Sequence, residues 1–321
     1  MNHAENLEVI GFGALNYDTL CIVNKIGEAG EEIAVQEIRE SSGGSAANTI
    51  TGLARLGIIT GFMGILGNDR EGDMLYKNFE DEKVDNSGIR FTQGRTGRVF
   101  GLVDANGERT LYPYPGVNDK LQLDDINIGY AKKAKILHMT SFVKKEQTNV
   151  QKLLIKELSE KTKISFAPGM LYVERGLEEL LPIIEKSYII FLNRNEIEIL
   201  TGHDYEEGSK ILIDIGTKIV VVTSESKGGY ITTKNESFSV TAHSTEKVVD
   251  STGAGDAFAA GFLYGLVRKR EDLQFCGEIG NTIASRCIRQ YGAISGLPYY
   301  KDIFNEKGDW QTYLSKWSTD T

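Results

Sequence analysis

The chain has 321 residues, 40% of them hydrophobic, and a formal charge of −9. That length supports a sizeable core in one large α/β domain or two smaller ones, and the negative balance argues against a nucleic-acid footprint. The three cysteines (Cys21, Cys276, Cys287) and the four histidines are scattered, which argues against a disulfide framework or zinc site and for a reducing cytosol.

In chain order, the opening MNHAENLEV has two glutamates and no apolar stretch of the signal-peptide kind. LEVIGFG (7–13) predicts a strand ending in glycines. SAANTITGLARLG (45–57) predicts an amphipathic helix closed by Gly57. TGFMGILG, AKILHMTSF, KISFAPG, YIIFLN and KIVVVT read as buried strands of a mostly parallel sheet. Helical patterns lie between them, at 146–160, 174–186 and 195–201. The alternation predicts a doubly wound α/β fold with helices flanking the sheet. The longest apolar run, 257–267, is too short to span a bilayer, so the expected setting is cytoplasmic, with neither membrane nor nucleic acid as partner.

Two regions break the alternation. Residues 18–40 read as extended, with period-2 stretches TLCIV and EIAVQEI. Residues 97–114 read as a hairpin turning at Asn106-Gly107. These segments predict a small β-sheet inserted in, and standing off, a single domain over 1–321. Val99, Phe100, Leu102 and Val103 put apolar side chains on both faces of one strand, so each face needs a cover. Substrate on one side and a second subunit on the other would supply them.

Four stretches carry chemistry, and each also has an ordinary structural reading. GFGALNYD (11–18) is a poor dinucleotide fingerprint, because Asn16 stands where the third glycine belongs. Asn16 and Asp18, expected just beyond a strand end, suit sugar hydroxyls, or else form an Asx turn. In SSGGSAAN (41–48), Gly43 and Gly44 let a ligand approach the backbone, with Asn48 in the first helical turn facing the same opening; the alternative is a plain loop and cap. Asn193 and Glu196 of NRNE are one helical turn apart. Glu196 would orient Mg2+-bound water near phosphates, or only complement the helix dipole. In DSTGAGD (250–256), Gly253, Ala254 and Gly255 present backbone N–H groups at a helix start, an anion cradle. Asp256 beside it can accept a proton from an attacking hydroxyl, the one base that phosphoryl transfer requires; otherwise it caps a helix. The chain contains no Gly-Lys dipeptide and hence no Walker A loop.

The order GALNYD, GGSAAN, NRNE, DSTGAGD resembles the ribokinase-like (PfkB) family of sugar and nucleoside kinases, over essentially residues 7–300. The resemblance implies an α/β domain with a β lid, ATP (more rarely ADP) as donor, Mg2+, and transfer to an alcohol, usually a primary CH2OH. It implies Asp256 as base, Gly253, Ala254 and Gly255 as anion hole, and Asn16, Asp18, Gly43, Gly44 and Asn48 as sugar contacts. It places Asn193 and Glu196 at phosphate and Mg2+, and Thr223, Lys227, Gly228 and Asn281 around the nucleotide. Asp250, with carbonyls near Thr252, Gln290 and Gly292, matches the K+ loop many members carry. Departures are Glu225 where TSESKG should have its first glycine, Thr140 and Ser141 where ribokinases proper have a ribose-touching glutamate, and Ala167 where an aspartate usually precedes Pro168. A sugar phosphate as acceptor would need positive charge near the lid, for which Arg95, Arg98 and Arg109 are candidates. A nicotinamide dehydrogenase would leave Asp256, Asn193 and Glu196 without roles; a binding-only pseudokinase would be expected to have lost the base or the anion hole.

Overall fold

The computed structural model describes residues 6–105, 109–224, 227–242, 248–268 and 272–304. A nine-stranded sheet runs through the molecule. Its strands are β1 (Val9–Phe12), β4 (Thr60–Gly67), β5 (Asp85–Thr92), β8 (Ile136–Thr140), β9 (Lys163–Ala167), β10 (Ser187–Asn193), β11 (Ile219–Ser224), β12 (Gly228–Thr232) and β13 (Ser237–Val240). The spatial order is β13-β12-β11-β10-β9-β8-β1-β4-β5. All pairings from β11 to β5 are parallel, and β12 and β13 add an antiparallel edge. The expected strands are all present; β5, β12 and β13 lack the long apolar runs that betray the others.

The central strands are apolar at successive positions because helices cover both faces. Val9, Ile189 and Val221 pack into one core with the helices Ser45–Arg55, Ala254–Arg268 and Leu273–Cys287, while Ile10, Ile190 and Val222 pack into the other. The expected helices appear as Lys145–Glu157, Leu177–Ile184 and Arg194–Thr201. Small residues bring the first core's helices close. A Cβ on Gly52 would lie 2.8 Å from the Cβ of Ala260, and one on Gly261 would lie 2.7 Å from the carbonyl oxygen of Ile279. Only glycine permits these approaches, and they set the starts of the helices at Ser45 and Ala254 side by side.

The regions that broke the alternation form a second, four-stranded sheet, in the order β3-β2-β6-β7. Its strands are β2 (Asn16–Val23), β3 (Val35–Gly43), β6 (Gly97–Val103) and β7 (Arg109–Tyr114). The expected Asn106-Gly107 turn lies outside the described residues. Strand β2 pairs antiparallel to β3 and parallel to β6, and β6 pairs antiparallel to β7. With side chains alternating between faces, the register gathers Asn16, Asp18, Ser41, Gly43, Val99, Leu111 and Arg109 on one face. Tyr17, Ile38, Phe100, Leu102, Tyr112 and Tyr114 share the other.

In the large sheet the chain leaves β1 toward β4 and β5, then returns to β8 on the other side. The C-terminal ends of β1 and β8 therefore flank a topological switch point, where open α/β sheets bind ligands.

Candidate active site

Asp256 sits half-buried in the first turn of the helix Ala254–Arg268. Its carboxylate is held from a different helix. Ser45 Oγ donates to Oδ1 at 2.6 Å and Asn48 Nδ2 donates to Oδ2 at 2.8 Å, while Thr49 Oγ1 donates to the Asp256 carbonyl at 3.3 Å. Burial pushes the Asp256 carboxyl up to about 6, against the pull of those two donors and of the Arg109 charge. A carboxylate so placed is ionised at neutral pH and still basic enough to take a proton.

The turn before Asp256 is built by glycine. Gly253 has φ +77°, and a Cβ there would lie 2.5 Å from Ala293 Cβ. Ala254 N donates to Ser251 O at 3.2 Å, which closes the turn and engages one of the three expected N–H groups. The N–H groups of Gly255 and Asp256 belong to the first helical turn, where no intrahelical acceptor exists. A Cβ on Gly255 would meet nothing within 4 Å, so that side of the turn is open.

The expectation that Asn16 and Asp18 lie in a loop after β1 is corrected. The chain passes through only residues 13–15 and enters β2, so both side chains are carried by the lid. No helix follows β1, which removes the dinucleotide-fingerprint reading of GFGALN. Asp18 packs over Gly43, where a Cβ would fall 2.2 Å from Asp18 Oδ2. Burial, then the charge of Asp256, raises the Asp18 carboxyl to about 7. Asp18 Oδ1 and Asn48 Oδ1 are buried acceptors without a partner among the described residues, which suits a ligand bringing hydroxyl donors. Gly44, at φ +112°, lets the loop pass the Ala14 carbonyl, which a Cβ would meet at 2.3 Å. Thr140, at the end of β8, lines the same region: its Oγ1 would lie 2.3 Å from a Cβ on Gly13.

Asn193 and Glu196 form a capping box. Asn193 Oδ1 accepts from Glu196 N at 2.8 Å, and Glu196 Oε2 accepts from Asn193 N at 2.9 Å. The Glu196 carboxyl is raised by burial and, to a smaller extent, by the charge of Asp256, which places it in the same electrostatic neighbourhood. Among the described residues no group of three or more His, Cys, Asp or Glu forms a ready metal cage. A lone carboxylate near an anion cradle nevertheless fits Mg2+, which keeps its waters and takes its other ligands from phosphates.

The remaining expected residues make the following contacts. Asp250 accepts from Thr252 N and from Gly292 N, both at 2.8 Å, stapling two loops. Burial would raise its carboxyl, but those bonds and the Arg109 charge bring it below the usual range. Those two bonds hold Asp250 in place. Asn281 Nδ2 donates to the carbonyls of Val240 at 3.2 Å and Thr241 at 2.9 Å, so it anchors the end of β13. Gly228 (φ +89°) sits against that same segment, its Cβ position 2.1 Å from Val240 O. Thr223 Oγ1 reaches the Leu192 carbonyl at 3.4 Å, and Lys227 is exposed. Glu225 lies outside the described residues.

Two positioning residues escaped the sequence reading. Ser45 is the first residue of its helix, and its place after two glycines was the available signal. Asn118 is buried and holds Leu15 and Asn16: its Oδ1 accepts from Leu15 N at 3.1 Å, and its Nδ2 donates to Leu15 O at 2.9 Å and Asn16 Oδ1 at 3.1 Å. No local pattern marks it.

A family model described as pfkB family carbohydrate kinase matches residues 6–299. An uncharacterized sugar kinase of Archaeoglobus fulgidus is 42% identical over 250 residues, 77% of this chain and 98% of that protein. An ATP-dependent ribose-1-phosphate kinase of Halopiger xanaduensis is 30% identical, covering 80% of this chain and 84% of that protein. The crystal structure of ribokinase from Thermotoga maritima superposes with a TM-score of 0.83 at 23% identity, over 96% of this chain and 99% of that one.

Proposed function

Because this chain belongs to the pfkB family of carbohydrate kinases, we propose that it transfers the γ-phosphoryl group of ATP to a hydroxyl, most simply a primary CH2OH, of a sugar or nucleoside, with Asp256 as base. The observation that carries the reading is the half-buried Asp256 carboxylate, held by Ser45 and Asn48 at the mouth of a glycine turn. The acceptor lies against Asn16, Asp18, Gly43 and Asn48. Its hydroxyl proton passes to a carboxylate oxygen of Asp256. The hydroxyl oxygen bonds to the γ-phosphorus as the bond from that phosphorus to the β,γ-bridging oxygen breaks, its electron pair leaving with ADP. The backbone of Gly253 and Gly255 faces the charge that develops on the phosphoryl oxygens. Mg2+, when bound, neutralises phosphate charge; Glu196 would hold it through water. The test is ATP consumption by the purified protein over a panel of sugars, nucleosides and sugar phosphates; no turnover with any of them would remove the reading. A phosphorylated sugar is the second reading, favoured by the ribose-1-phosphate kinase at 30% identity; the same panel decides it.

We also propose a homodimer through the lid. The face turned from Asp18 exposes Ile38 (61%), Tyr112 (56%), Tyr114 (47%) and Phe100 (44%), an apolar patch of the kind that marks interfaces. Phe100 and Leu102 share that face, so aspartate at either should weaken self-association and not acceptor binding. A monomeric wild type in sedimentation would end the lid-to-lid model while leaving the chemistry untouched. Among the described residues no helix is long and apolar enough to cross a membrane.

A further inference from the structure

We infer that Arg55 is a positioning residue for the glycine turn before Asp256, an inference that rests on the kinase reading above. Arg55 is the last residue of the helix Ser45–Arg55. Its guanidinium is divided between two tasks. Nε donates to both carboxylate oxygens of Glu82, at 3.1 and 3.0 Å, and Nη2 donates to Glu82 Oε1 at 2.5 Å. Nη1 donates to two carbonyls of one distant turn, Ile294 O at 2.8 Å and Leu297 O at 2.9 Å. Both side chains of the ion pair are only 11% exposed. The planar fork of an arginine can serve a carboxylate and two carbonyls at once; the ammonium of a lysine has no such fork.

The turn that Arg55 holds adjoins the residue that supports Gly253. Ala293 directly precedes Ile294, is buried, and packs so tightly on Gly253 that a Cβ there would lie 2.5 Å from its methyl. The other flank of Ala293 is tied as well, because Gly292 N and Thr252 N donate to the two oxygens of Asp250, each at 2.8 Å. Cys287 Sγ donates to the Ala293 carbonyl at 3.4 Å. Gly296 lets the segment run past Cys287, whose carbonyl oxygen a Cβ would meet at 2.3 Å. Residues 292–297 are thus clamped at two points, by Asp250 before Ala293 and by Arg55 after it, with Ala293 pressed on the glycine turn between them.

Asp250 is local to the glycine turn, whereas Arg55 belongs to the helix whose first turn supplies Ser45 and Asn48 to the Asp256 carboxylate. One helix of 11 residues, roughly 16 Å long, therefore holds the base from its start and the support of the anion cradle from its end. In the transfer step Arg55 touches neither phosphate nor acceptor and moves no proton. It fixes where Ala293 meets Gly253, and so where the turn stands relative to the carboxylate. A close-packed interior passes such a displacement on, and a shift of about 1 Å at reacting groups can cost about 10²-fold in rate.

The test compares Arg55→Lys, Ala293→Gly and their combination with wild type, using the acceptor turned over fastest in the panel above. Arg55→Lys keeps a charge for Glu82 and gives up the carbonyls; Ala293→Gly keeps Arg55 and removes the methyl from the turn. Each should lower kcat about tenfold, with acceptor KM and the acid limb of kcat/KM unchanged, because Ser45 and Asn48 still hold Asp256. Calorimetry with Mg2+, ADP and aluminium fluoride, an analogue of the phosphoryl group in flight, should show about tenfold weaker binding in each variant, while ADP without fluoride binds as to wild type. The combination should be no worse than Arg55→Lys alone, because both act through one contact. Losses that multiply in the combination would overturn the role, as would single variants with the kcat and fluoride-complex affinity of wild type. Ala293→Gly leaves the clamp intact, so it reads the same contact even where Arg55→Lys fails to fold. Glu82→Gln, which leaves an amide oxygen for the guanidinium, should lower the melting temperature by a few degrees with kcat within about twofold. A kcat loss there equal to that of Arg55→Lys would place the effect in the buried ion pair and also overturn the role. None of these outcomes touches the kinase reading. A wild type that turns over no acceptor and binds neither nucleotide complex would overturn that reading and this inference with it.

Discussion

Of the helices that start with an acid in the first turn, two carry proposed site residues, and the two acids have different occupations. Glu196 folds back on its own turn, exchanging hydrogen bonds with Asn193 three residues away. Asp256 is held by Ser45 and Asn48, 211 and 208 residues distant in sequence. The helix dipole favours a negative charge at both places. The difference is what remains available. At Arg194–Thr201 side chain and backbone satisfy each other, and the turn is closed. At Ala254–Arg268 the carboxylate instead accepts from Ser45 and Asn48 of another helix. In the proposed chemistry, the acid that reacts is the one that other elements hold away from its own backbone.

The largest effect should come from removing the base. Asp256→Asn keeps the shape and lets Ser45 rotate to a new partner, but the amide cannot take a proton. We expect kcat to fall roughly 10²–10⁴-fold, the usual contribution of general base catalysis, with acceptor KM within about tenfold of wild type. Steady-state kinetics on the folded variant decides it. A near-normal kcat would reduce Asp256 to a cap and erase the contrast between the helices.

Next in size is Asp18→Ala. The variant deprives a buried acceptor hydroxyl of a charged partner, costing about 1.5–3 kcal/mol. Acceptor KM should rise by one to two orders of magnitude, on the order of that cost, while the KM for ATP stays put. A selective loss of ATP affinity would move Asp18 to the donor side and require a different orientation of the cleft.

The same contrast explains what the sequence disclosed. Glu196 and Asn193 announce themselves because their interaction spans a single turn. The parallel strands do so because burial on both faces leaves continuous apolar runs such as IVVV and YIIFL. The glycine turn before Asp256 was legible because only glycine tolerates positive φ against a close neighbour. Asn118 was invisible: its bonds to Leu15 and Asn16 span 103 and 102 residues, and its own segment is a short 3-10 helix, Gly116–Lys120. Ser45 was half visible, marked by its glycines but not by its partner. The placement of Asn16 and Asp18 was misread because the short link after β1 looks like a strand-to-ligand loop, whereas it feeds directly into a second sheet. Sequence pattern reports local geometry and burial period; it does not report which distant element supplies the other end of a hydrogen bond.

A moderate effect should follow from Ser45→Ala. The Ser45 hydroxyl stabilises the ionised form of Asp256, whose carboxyl already stands at about 6 through burial. Removing the donor raises that value further. The base must be ionised to act, so the acid limb of kcat/KM should shift to higher pH by about one unit, given about 1.5 kcal/mol for a charge-assisted bond. The alkaline side should not move. An unchanged acid limb would show that the limb reports a different group.

The smallest effect should be at the closed helix start. Asn193→Ala removes the acceptor for Glu196 N but leaves the carboxylate in place. Losing an N-cap of this kind costs about 1 kcal/mol, a melting shift of a few degrees for a chain of this size, roughly 2–4 °C. Glu196 is also freed from one side of its box, so the Mg2+ concentration giving half-maximal rate should rise severalfold, while kcat at saturating Mg2+ stays within about threefold. Differential scanning calorimetry and a Mg2+ titration read the two effects separately. A fall in kcat comparable with that of Asp256→Asn, at an unaltered melting temperature, would mean that this helix start works on the reaction as directly as the other, and that a capping box does not remove an acid from chemistry.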